Sequence, residues 1–86
     1  MEQARSKVEA MIRSTLGEVL PDQDISAVPG DANLVDSLGV DSLDLIEFVL
    51  ELERRTGARV ADEDLKRLTS IDAVVDYVCA SAASPA

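Results

Sequence analysis

Apolar side chains recur at three- and four-residue spacing through much of the chain. Between residues 2 and 20 they fall at Ala4, Val8, Met11, Ile12, Leu16 and Val19, the stripe that an amphipathic helix turns towards a core. Pro21 ends this first helix, because the residue before a proline is pushed out of the helical region. A second helix is predicted over 42–54. At about 100° per residue, Leu43, Ile46, Val49, Leu50 and Leu52 cover much of one side, while Asp44, Glu47 and Glu51 fall within a narrow arc; Leu45 and Phe48 sit near the border. Asp41 is placed to cap its start and Gly57 to follow its end. Residues 62–67 predict a short third helix, with Asp62, Glu63 and Asp64 at its start and Lys66 and Arg67 at its end, charges that complement the helix dipole. Residues 71–81 predict a fourth, with Ile71, Val74, Val75, Val78 and Cys79 on one face; Ser70 alone, or Thr69 with Asp72, can cap it.

The segment 21–40 breaks the pattern with Pro21, Pro29, Gly30 and Gly39. A structureless connection of that length is uncommon inside a compact domain. Ile25, Val28, Leu34, Val35 and Leu38 are spread through it and are expected to tuck into the core and hold it down. Val28-Pro29-Gly30-Asp31 reads as a turn. No strand alternation is visible. The expected fold class is all-α: a small four-helix bundle, three longer helices and one short one, with a long loop between helices 1 and 2. One domain is expected over 1–86, with its core in about 2–81 and a frayed tail at 82–86.

Composition narrows the function. A chain of 86 residues buries only about 60% of the surface its unfolded form exposes, so a deep substrate pocket is not expected. Hydrophobic residues make up 47%, which excludes disorder, and the 2% of aromatics, Phe48 and Tyr77, leave an aliphatic core. A net charge of -9 argues against nucleic acid and anionic membranes and favours basic protein partners. No apolar run approaches the roughly 20 residues of a membrane span, and MEQARSKVEA lacks the apolar region of a signal peptide. The single cysteine, Cys79, cannot form an internal disulfide and reads as a buried small hydrophobe. A cytoplasmic location and a monomer are expected. There is no histidine, so neither a Ser-His-Asp triad nor a typical zinc site can be built. No catalytic residues and no metal site are predicted.

The stretch Leu38-Gly39-Val40-Asp41-Ser42-Leu43-Asp44, followed by Ile46-Glu47 and Leu52-Glu53, resembles the attachment motif of acyl carrier proteins, which reads Leu-Gly-x-Asp-Ser-Leu. Asp-Glu-Asp-Leu at 62–65, Leu-Thr-Ser-Ile at 68–71, Asp-Tyr-Val at 76–78 and the loop from Asp31 to Leu38 resemble further stretches of that family, over most of the chain. The resemblance implies that Ser42 carries a 4'-phosphopantetheine arm drawn from coenzyme A, with an acyl group as a thioester on its terminal thiol. It implies a non-catalytic carrier of the free-standing type. A helix N-terminus suits the phosphodiester of the arm. Gly39 lets the chain turn tightly before the site, Leu43 is expected to anchor the helix start, and the resemblance implies that Asp41 lies where the transferase places its metal ion and coenzyme A.

The implied partners are a phosphopantetheinyl transferase and acyl-loading, ketosynthase and modifying enzymes with basic patches. Asp41, Asp44, Glu47 and Glu51 are the acids expected to steer them. Ile46, Val49, Leu50, Leu65 and Val75 are candidate neighbours of the acyl chain. Thr56-Gly57, Ala61, Arg54, Arg55 and Leu45 depart from the familiar fatty-acid carriers and lean towards a dedicated route such as polyketide assembly. Val40 stands where peptidyl carriers place a second glycine, which favours acyl over aminoacyl cargo. The rival readings are a peptidyl carrier and a non-carrier acidic helical interaction domain. A calcium-binding helix pair is rejected: Leu38 and Val40 would occupy ligand positions and Gly39 comes too early.

Overall fold

The apolar stripe at the start of the chain forms α1, Glu2–Val19, in a computed structural model that describes residues 2–83. α3 spans Ser42–Thr56 and α4 spans Ile71–Ala83. α1 packs against both. The core between them is aliphatic around one aromatic: Ile12, Leu16, Phe48, Leu52, Ile71, Val74 and Val75 are buried. The described residues are all helical or irregular, with no strand among them. α4 runs on to Ala83, two residues past the predicted end; residues 84–86 of the expected tail lie outside the described residues.

The connection between α1 and α3 is not structureless. It holds a 3-10 turn at Ile25–Ala27 and a short helix, α2, at Leu34–Leu38. α2 was not predicted. At five residues it has room for only one buried position, Leu34, so the 3.6-residue period never becomes legible. Its cap is Asn33, whose side chain accepts from the Asp36 N–H at 3.0 Å. Of the apolar residues expected to pin the loop, Ile25, Val28 and Leu34 are buried, Leu38 is half-buried and Val35 is exposed.

Polar contacts complete the anchoring. Arg13 on α1 donates to the carbonyl oxygens of Ile25 at 2.9 Å and Val28 at 2.8 Å, and its own position is held by Glu9 at 2.8 Å. The Ile25 carbonyl also accepts the 3-10 bond from the Val28 N–H, so Arg13 adds a second partner there. Further along, the Leu34 N–H donates to the Thr69 carbonyl at 2.8 Å, and the Asp72 N–H to the Gly30 carbonyl at 2.9 Å. The loop is thus tied to α1 at one end and to the start of α4 at the other.

The predicted short helix at 62–67 is a 3-10 helix, Asp62–Arg67. It carries no buried residue, though Leu65 packs against the core. Tyr77 of α4 secures it, donating to Asp64 Oδ2 at 2.8 Å, and that bond together with partial desolvation pushes the Tyr77 phenol above its ordinary value. α4 is capped by Ser70, whose Oγ accepts from the Ala73 N–H at 3.1 Å. Thr15 is buried on α1; its hydroxyl donates to the Met11 carbonyl at 2.8 Å and accepts from Arg55 Nη1 at 2.9 Å, so α1 and α3 are joined by a polar as well as an apolar contact.

Candidate functional site

α2 and α3 are separated by only three residues, Gly39, Val40 and Asp41. Gly39 is the C-cap of α2 at φ 67, a left-handed conformation that strains any residue with a Cβ, and its N–H donates to the Val35 carbonyl. Val40 follows, 6% exposed, and anchors the turn in the core. Asp41 is extended; its side chain accepts from the Asp44 N–H at 2.8 Å, and its carbonyl accepts from the Leu45 N–H at 3.0 Å. α3 therefore starts at Ser42 with its cap already in place. The N–H groups of Ser42 and Leu43 precede the first intrahelical bond and add to the positive end of the dipole. The Ser42 side chain is exposed.

Leu43 does not anchor the helix start. It is 64% exposed, because the first turn of α3 meets the core through Val40 and Leu45 instead. The same rotation moves Phe48 from the expected border into the core at 1% exposed, and leaves Ile46 and Leu50 exposed. The apolar arc of α3 is wider than one core contact can cover. Leu43, Leu45, Ile46, Phe48, Val49, Leu50 and Leu52 cannot all face inward, and that excess was the signal in the sequence for an apolar outer stripe of Leu43, Ile46 and Leu50.

The acids stand beside this stripe. Asp41 and Glu47 are exposed and Asp44 is half-buried; none takes part in the ion pairs among the described residues. Glu51 differs from the expectation of an open, partner-facing acid. It is paired with Arg54 and with Arg55 Nε, the latter at 3.1 Å. The Arg54 hydrogen bond holds the Glu51 carboxyl below its ordinary value, against an opposing effect of desolvation and with help from Arg55. A depressed folded value means that the pair stabilises the fold above the ordinary carboxylate value of 4.5 and loses that contribution as pH falls through the folded value. The melting temperature of Glu51→Gln is expected to lie below that of the parent near neutral pH, and the gap is expected to close in acid. A gap that stayed constant down to acid unfolding would contradict the pairing.

A groove of about 430 Å³ opens beside Ser42. Leu34, Val40, Leu45, Leu65 and Leu68 supply its apolar lining, and Asp41, Ser42 and Lys66 are among its polar neighbours. A deep pocket was not expected in so short a chain. What the structure shows is an open groove, bordered by residues of α2, the start of α3 and the 3-10 helix. Of the residues expected beside an acyl chain, Leu65 lines this groove; Val49 and Val75 lie in the core and Ile46 and Leu50 face outward.

The profile of the phosphopantetheine attachment site matches residues 6–78. The chain is 38% identical over 77 residues to the acyl carrier protein of Thermotoga maritima, which covers 90% of this chain and 89% of that protein. The chain belongs to the phosphopantetheine-attachment family of acyl carrier proteins. Solved structures agree. A solution structure from Anaplasma phagocytophilum assigned to the acyl carrier proteins superposes with a TM-score of 0.75 at 27% identity, covering 92% of this chain and 91% of that one. The acyl carrier protein of Enterococcus faecalis superposes with a TM-score of 0.70 at 30% identity, covering 90% of this chain and 96% of that one. 4'-Phosphopantetheine is the cofactor of this family, and the carrier fold brings an exposed serine, a positive helix end and an apolar groove to one place.

Proposed function

We propose that Ser42 is the residue that takes the 4'-phosphopantetheine arm, and that the chain presents acyl groups to the enzymes of fatty-acid or polyketide biosynthesis without itself catalysing a reaction. One observation carries this reading: Ser42 is the exposed first residue of α3, and the cap that would otherwise occupy its hydroxyl is supplied by Asp41. A primary hydroxyl in that position is open to a transferase. The chain has no histidine, so the base that activates the hydroxyl belongs to the transferase. The first-turn N–H groups favour the phosphodiester anion at Ser42. When bound, the arm supplies a terminal thiol for acyl groups, and the groove beside Ser42 offers them apolar shelter. The experiment is intact mass before and after incubation with coenzyme A, magnesium and a broad-range phosphopantetheinyl transferase. One phosphopantetheinyl group gained is expected, and none in Ser42→Ala.

Docking is assigned to the outer face of α3. Leu43, Ile46 and Leu50 offer an apolar strip, and Asp41, Asp44 and Glu47 surround it with negative charge. Such a face suits brief encounters with basic patches on the transferase and on loading, condensing and modifying enzymes, because charge raises the encounter rate without demanding a large buried interface. No described helix is long and apolar enough to cross a membrane. Reversing Asp44 and Glu47 to lysine together is expected to slow association with a condensing enzyme by about ten- to a thousandfold at low salt, with the difference shrinking as salt rises. Equal rates and equal salt dependence in a variant that melts like the parent would contradict the assignment.

A further inference from the structure

Lys66 lines the groove beside Ser42 and is the one cation among its lining residues. The other charged or capping groups there are engaged. Asp41 caps α3 and Asn33 caps α2. The neighbours of Lys66 on the 3-10 helix are engaged as well: Asp64 accepts from Tyr77 at 2.8 Å and from Arg67 at 3.5 Å. Lys66 itself belongs to none of the ion pairs among the described residues, although Asp62, Glu63 and Asp64 lie in the same short helix. Leu34, Val35, Val40, Leu45, Leu65 and Leu68 form the apolar part of the lining; Asn33, Asp41, Ser42 and Thr69 are its other polar members.

A lysine in such a place lays its methylene stem along apolar surface and keeps its ammonium at the water boundary. An apolar wall lowers the local dielectric, so an anionic oxygen nearby is attracted more strongly than it would be in bulk water. We propose that Lys66 is a positioning residue that holds an anionic oxygen of the group that Ser42 carries. The inference rests on the reading of Ser42 as the attachment residue. Two sources have the required chemistry: the phosphodiester of the arm, and a carboxylate at the far end of a short dicarboxylic acyl group.

The test uses uniformly 15N-labelled protein, in which the lysine ammonium and the backbone amide signals are both read. Four forms are compared by ammonium 1H–15N spectra: unmodified, arm-bearing, and arm-bearing loaded with either a carboxylate-ended or a methyl-ended acyl group of equal length. Intact mass establishes each loading. A Lys66 ammonium signal that shifts and sharpens when the arm is added assigns the phosphodiester as partner. A shift that waits for the carboxylate-ended group, and is absent with the methyl-ended one, assigns the cargo. Either result supports the proposal, provided that the accompanying backbone amide shifts at Leu65 and Leu68 are lost in Lys66→Gln and kept in Lys66→Arg. Full loading by mass with no response of Lys66 at any step overturns the role of Lys66 and leaves Ser42 standing. No mass gain at all overturns both.

Discussion

Truncating Phe48 to alanine is expected to lower the free energy of unfolding by about 3–5 kcal/mol. Phe48 is the only phenylalanine of the chain and the largest of its fully buried side chains, 1% exposed at the middle of α3. It shares one buried cluster with Ile12, Leu16, Ile71 and Val74, and a close-packed core relaxes only partly into the space left behind. A domain of this length has roughly 0.05–0.15 kcal/mol of stability per residue, so the loss is a large part of the whole. Phe48→Leu keeps most of the volume and is expected to cost less than about 1.5 kcal/mol. Urea unfolding measures both. The midpoint should fall steeply for alanine and slightly for leucine, with little change in slope. A loss well below 1 kcal/mol on alanine substitution would place Phe48 on the border of the helix, where its angle on an ideal wheel puts it.

That angle illustrates what the sequence could and could not settle. Periodicity located α1, α3 and α4 because each is long enough for its apolar stripe to repeat several times. Asp41 and Gly57 were legible as caps because their chemistry is local: a carboxylate one residue before the helix, a glycine one residue after it. The rotation of α3 about its own axis was not legible. Its apolar residues span too wide an arc, and only the packing against α1 decides that Phe48, Val49 and Leu52 go inward while Leu43, Ile46 and Leu50 stay out. The outer strip, which the proposed docking face needs most, was therefore read as core.

The loop between α1 and α3 shows a different limit. Its apolar residues announced that it would be pinned, but the agents are distant in sequence: Arg13 reaches the carbonyls of Ile25 and Val28, and Thr69 accepts from Leu34. The pairing of Glu51 was not legible for a similar reason. The arginines at 54 and 55 were noted as a departure from family custom, yet their reach back to Glu51 depends on rotamers that a wheel does not carry. Of the acids on this face, Asp41, Asp44 and Glu47 have no ion pair among the described residues, and the proposed steering rests on them.

The tetrapeptide Val-Asp-Ser-Leu occurs twice in succession, at 35–38 and at 40–43, and the two serines make a built-in comparison. Ser37 and Ser42 have identical immediate neighbours before and after them. Their settings are opposite. Ser37 lies in the last turn of α2, its N–H donates to the Asn33 carbonyl, and the carbonyl end of a helix repels an anion. Ser42 opens a fifteen-residue helix behind a filled cap, where N–H groups attract one. The two tetrapeptides alone do not separate the serines; in the proposed account the Leu38-Gly39 pair and the polarity of the helix end favour Ser42. The effect expected is complete: Ser37→Ala keeps the whole mass gain and Ser42→Ala keeps none. The most direct measurement is fragmentation mass spectrometry of the protein after treatment with coenzyme A, magnesium and the transferase, locating the added group on the chain. The account predicts that every modified molecule bears it on Ser42. A group found on Ser37, or spread between the two serines, would contradict it.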